Sequence, residues 1–71
     1  MLQKLLMHHK ALNAFIEMVQ EESLPVSVQV GESMADPNGD RQVSVLLEYD
    51  WQDARLIDAA LEIVMYKIFG I

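Results

Sequence analysis

Hydrophobic positions along the chain change period from helical to alternating and back again, and each change marks an element. Between Met1 and Glu22 there is no proline or glycine. Turned at about 100° per residue, Met1, Leu2, Leu5, Leu12, Phe15, Ile16 and Val19 gather on one broad face, which predicts a helix over residues 1–22. A second stripe, Met7, Ala11, Ala14 and Met18, lies well round the same cylinder at 4-3-4 spacing, the spacing of a helix–helix seam with small central residues. Leu24-Pro25 closes the helix, and the period then falls to two. Val26, Val28 and Val30 alternate with Ser27 and Gln29, and Val43, Val45, Leu47 and Tyr49 alternate with Gln42, Ser44, Leu46 and Glu48. Asp36-Pro37-Asn38-Gly39 between them predicts a turn, because proline pre-sets φ while asparagine and glycine tolerate positive φ. Gly31 marks a place for a bulge or bend.

A turn centred between Pro37 and Asn38 pairs Val30 with Val45, Val28 with Leu47 and Val26 with Tyr49. Ser27 then meets Glu48 on the opposite face. A slip of one residue would destroy that match.

The last stretch, Asp50 to Ile71, returns to a helical period. Asp50 is placed as its N-cap, Asp53 as an imperfect capping-box partner, and Gly70 as its stop. Ala54, Ile57, Leu61, Val64, Met65 and Ile68 form the expected core stripe, and Arg55, Asp58 and Glu62 the wet face. Leu56, Ala60 and Ile63, with Tyr66 nearby, are left over as a second apolar flank.

The order is therefore α-β-β-α, an α+β fold in which an antiparallel hairpin is covered by two helices, with residues 1–71 as a single domain. Seventy-one residues bury too little apolar surface to be comfortably stable alone and usually need a staple. With no cysteine, disulfides and thiolate metal sites are excluded, and two histidines are too few for a closed zinc site within one chain. Association is the staple left over. A two-stranded sheet with both edges open points the same way, to a homodimer. Its interface is expected among Met7, Ala11, Ala14, Met18, Leu46, Leu56, Ala60, Ile63 and Tyr66.

The net charge of −6 argues against direct contact with nucleic acid, since Lys4, Lys10, Arg41, Arg55 and Lys67 are scattered. It favours a protein partner with a basic or hydrophobic surface. Glu17, Glu21 and Glu22 crowd the end of the first helix, where negative charge opposes the helix dipole, and they are the candidate acidic partner-facing residues. Residues 1–12 hold no apolar run long enough for a signal peptide, and Asp58, Glu62 and Lys67 break the last helix as a membrane span. A cytoplasmic protein without membrane attachment is expected.

Candidate chemistry is sparse. Adjacent histidines on a helix point about 100° apart, so His8 and His9 are not expected to share one ion, and no metal or cofactor is predicted. Asp36 and Asp40 lack the spacing of a calcium loop. Asp50 and Asp53 serve as caps, no serine sits in a nucleophile elbow, and the three glycines form no phosphate loop. No enzymatic activity is expected. Trp51 and Tyr66 are the aromatic candidates for an interface hot spot.

In size, acidity and lack of cysteine the chain is similar to small phage-encoded inhibitors of host proteins, a likeness of composition that transfers no site residues. It implies a homodimeric inhibitor or anti-activator acting on a host regulator or nucleic-acid-handling protein. The alternative is a structural or accessory subunit of a larger assembly with no inhibitory role.

Overall fold

A computed structural model describes residues 1–70, and Ile71, the last residue of the expected C-terminal helix, lies outside the described residues. The elements are β1 (Leu2–His8), α1 (His9–Glu22), β2 (Val26–Ala35), β3 (Arg41–Tyr49), a single 3-10 turn (Trp51–Asp53) and α2 (Ala54–Phe69). The single helix expected over residues 1–22 is thus a strand followed by a helix, and the order is β-α-β-β-α. Leu, Gln, Lys and Met in residues 2–7 are all good helix formers. Local preference is overridden because the free edge of β3 needs a partner. β1 supplies it, pairing antiparallel from Leu2 opposite Glu48 to His8 opposite Gln42.

β3 is the central strand of a three-stranded sheet of order β1-β3-β2, antiparallel to both neighbours. β1 and β2 therefore run parallel with β3 between them, and α1 is the crossover of a split β-α-β unit. The hairpin has the expected pairs Val26–Tyr49, Ser27–Glu48, Val28–Leu47 and Val30–Val45. Its turn, however, is centred one half-residue later, on Asn38, because Ala35 pairs with Arg41. A shift between Val30 and Ser33 absorbs the difference, with Gly31 and Glu32 opposing Ser44. A Cβ on Gly31 would lie 3.3 Å from the Ser44 carbonyl oxygen, a tight contact that glycine avoids at the bulge. Asp36 builds the turn itself, its Oδ1 accepting from the amides of Asn38 and Asp40, both at 2.9 Å.

Alternation gives the sheet two unlike faces. Met7 of β1 and Val43, Val45, Leu47 and Tyr49 of β3 are buried under the helices, together with Leu12 and Phe15 of α1 and Ile57 and Val64 of α2. Burying each large side chain of this row contributes about 1.5–3 kcal/mol. Gln3 shares the inner face because it accepts the hydroxyl hydrogen of buried Tyr49 at 2.8 Å.

The helix ends are built from side chains and left-handed residues. His8 Nδ1 accepts from the Lys10 amide at 3.2 Å as the N-cap of α1, and Ser23 closes α1 at φ 50°. Asp50 caps the 3-10 turn, not α2 directly, by accepting from Gln52, while Gly70 stops α2 at φ 72° as expected. Among the described residues no helix is long and apolar enough to cross a membrane.

Met7→Asp should abolish the cooperative thermal transition, since an unpaired buried carboxylate costs several kcal/mol against a total of about 5–15. Leu2→Asp, on the exposed face of the same strand, should leave the transition in place. Circular dichroism melts of the two variants distinguish strand from helix in this segment.

Candidate interaction site

Parts of the two apolar flanks that the core was not expected to use, Met18 of α1 and Leu56, Ala60 and Ile63 of α2, line one groove. α1 and α2 lie antiparallel on the same sheet face: His8, at the start of α1, has its ring 5.5 Å from that of Phe69, while Met18 and Glu22 face Leu56 and Ala60 at the other end. Ala60 is small enough to admit α1. It is only 4% exposed, which turns the buried stripe of α2 toward Ile57, Ala60 and Val64 and leaves Met65, expected in the core, 39% exposed.

Burial divides the expected interface residues into two groups. Met7, Ala11 and Ala60 are 4%, 0% and 4% exposed and belong to the core of the single chain, so no continuous Met7–Met18 seam exists on a helix surface. Ala14 and Met18 are half-buried between the helices, and Leu46 is half-buried on the open face of the sheet. Leu56, Ile63 and Tyr66 are 47%, 56% and 67% exposed.

Between the C-terminal turns of α1 and the N-terminal half of α2 lies a groove of about 560 Å³. Met18, Leu24 and Pro25 form one wall, Leu56 and Ile63 the other, with Ala59 and Ala60 between them and Glu22 and Ser23 also lining it. The apolar strip continues along α2 through Ala59, Ile63 and Tyr66. Leu24 and Pro25 end the first helix, and Ala59 lies beside Ala60 on α2. Their contribution arises only when α2 folds back beside the end of α1. Trp51, 73% exposed, packs on neither the sheet nor this groove.

The groove opens beside a strongly negative helix end. Glu22 lines it, and Glu17, Glu21 and Glu22 border an adjoining crevice with Ala14, Met18, Val64 and Lys67. Among the described residues none of these three carboxylates makes an ion pair, and no basic residue occupies the last turn of α1. Dipole and carboxylates therefore add, with Lys67 of α2 the one cation among the described residues lining the crevice, against three glutamates. The groove supplies apolar area and directional charge.

The open sheet face carries a second apolar patch, in which Leu2 and Leu6 of β1 are 64% and 57% exposed beside half-buried Leu46 of β3. At the far end of the sheet His8, His9 and Asp40 come together, their candidate ligand atoms all within 4.8 Å of one another. The helical argument that separated the two histidines fails because His8 ends β1 with φ −59° and ψ 140°. Its ring stacks on that of His9 with centroids 4.6 Å apart.

No protein-family model, curated protein or solved structure matches the chain.

Ile63→Asp should shift the melting transition little, within about 0.5 kcal/mol of stability. Ala60→Asp, three residues earlier on the same helix, should prevent folding by placing a carboxylate against α1. Thermal melts of the pair locate the boundary between groove surface and core.

Proposed function

We propose that this chain is a small acidic protein–protein interaction module whose activity is binding, without catalysis. The observation that carries the reading is the groove between the helices, apolar along both walls and edged by carboxylates that form no ion pair among the described residues. Contiguous exposed apolar surface rimmed by polar residues marks protein–protein contact sites in many small domains. Its chemistry fits a partner segment presenting aliphatic or aromatic side chains beside Lys or Arg. Such a segment is common on regulators and on proteins that handle nucleic acid, and covering it makes the chain an inhibitor or anti-activator acting in the cytoplasm. Met7 and Ala11 are buried within the single chain and are not available to a second copy. The open sheet face, with Leu2, Leu6 and Leu46, is the surface through which two copies associate in this reading.

The two surfaces have separable tests. Affinity capture by the immobilised chain should recover a basic partner at low ionic strength and lose it as salt is raised, because exposed charge pairs are screened beyond about 10 Å at 0.1 M salt. Glu21→Lys with Glu22→Lys should weaken that capture about tenfold or more without altering the fold, and Ile63→Lys should do the same from the apolar wall. Leu6→Lys should leave capture intact and halve the mass measured by sedimentation equilibrium. A recovered partner indifferent both to salt and to the glutamates would refute the electrostatic part of the reading. If Leu6→Lys retains the parent's mass, the sheet face is not the dimer surface. A large assembly formed by the unmodified chain would favour the structural-subunit alternative.

A further inference from the structure

We propose that His8, His9 and Asp40 form a three-ligand site for a divalent transition-metal ion of the zinc type. Each ligand is delivered by the fold and not by sequence proximity alone. β1 ends at His8 and α1 begins at His9, so the change from extended to helical backbone brings the two imidazole centroids to 4.6 Å, and a turn of the His9 ring out of this stack aims its lone pair at an ion on His8. Asp40 comes from the β2–β3 turn, where its amide and carbonyl are both tied to Asp36, the amide to Oδ1 at 2.9 Å and the carbonyl to the Asp36 amide at 2.7 Å. Its carboxylate is thereby held over the end of β1.

The spacing suits ligation better than direct hydrogen bonding. His8 Nε2 and Asp40 Oδ1 are 3.4 Å apart, beyond the roughly 2.7–3.2 Å of a well-made N–H···O bond. Two ligands each about 2.0–2.1 Å from a tetrahedral ion are separated by about 3.3 Å. The third ligand must close from within 4.8 Å, a distance that rotation of the His9 and Asp40 side chains can cover, since neither is buried. The His8 ring, 12% exposed and set against the edge of Phe69, is the fixed member. Two imidazoles and one carboxylate favour zinc, nickel or copper over magnesium or calcium, which prefer all-oxygen shells. Three protein ligands leave a coordination position open to water or to a donor on a bound partner.

Binding has a specific local consequence. His8 Nδ1 accepts the Lys10 amide hydrogen at 3.2 Å, so the neutral ring carries its proton on Nε2. An ion at Nε2 requires that proton to move to Nδ1, and the Lys10 amide then loses its acceptor. Metal occupancy should therefore be visible at Lys10, a residue that is not itself a ligand.

The test is a titration of the full chain with zinc chloride in chelator-free buffer, read by calorimetry and by ¹H–¹⁵N correlation spectra, and repeated with magnesium. We expect one zinc per chain, displacement of the Lys10 amide resonance, and no comparable response to magnesium. His9→Ala and Asp40→Asn, both at positions outside the core, should keep the parent fold and weaken zinc binding beyond the ~10–100-fold typical of losing an outer-shell partner. Equal binding of magnesium, or zinc binding that survives both substitutions, would assign the effect to diffuse attraction by the acidic surface and overturn the proposal. Absence of saturable zinc binding would overturn it as well.

Discussion

Everything in this fold depends on β3 having both of its edges satisfied from within the same chain. Its inner row, Val43, Val45, Leu47 and Tyr49, is the apolar floor on which both helices rest. A strand can present such a row stably only if its amides and carbonyls are paired on either side. β2 serves one edge through a short turn, and β1 serves the other across more than thirty residues of sequence. Once β1 is in place, α1 has to cross the inner face to reach β2. α2, leaving the end of β3, has only the space beside α1 to occupy.

That sequence of constraints explains why the hairpin was legible in the amino-acid sequence and the first strand was not. Valines at period two, bracketed by a proline–asparagine–glycine turn, specify a register locally, and only the half-residue displacement absorbed at Gly31 needed the third dimension. Residues 2–8 carry no such signature. Leu5 and Met7 suit either a helix or a strand, and Gln3 looks misplaced on an inner face until the Tyr49 hydroxyl is seen to meet it. The contest is decided by a non-local demand, the open edge of β3. The same demand leaves Met1 and Leu2 exposed although a helical reading places them in the core.

The helices show a related division. Most of the expected core stripe of α2 holds, with Ile57 and Val64 buried and Leu61 and Ile68 half-buried, while Ala60 moves inward and Met65 outward. A helical wheel has no knowledge of which neighbour stands beside it. α1 is that neighbour, and it approaches where the alanine permits. What looked like two independent surplus seams becomes one partly buried helix contact with an open end. Met18 and Leu56, which sequence spacing placed on separate surfaces, line the same groove. The pairing of His8 and His9 was hidden for the same reason, since their geometry depends on the element boundary falling between them.

The charge distribution then acquires a direction. Glutamates at the end of α1 are mildly unfavourable to the helix they close, by a few tenths of a kcal/mol each. They stand beside the apolar opening and not on the remote side of the molecule. Recognition through that opening is the central claim, and a photoreactive amino acid in place of Ile63 tests it most directly, in the cell that makes the protein, with the same probe at Asp58 on the wet face of α2 as the control. The account predicts a cross-link from position 63 alone, to a segment with Lys or Arg beside apolar residues. Identical products from both positions, or none from position 63, would contradict it.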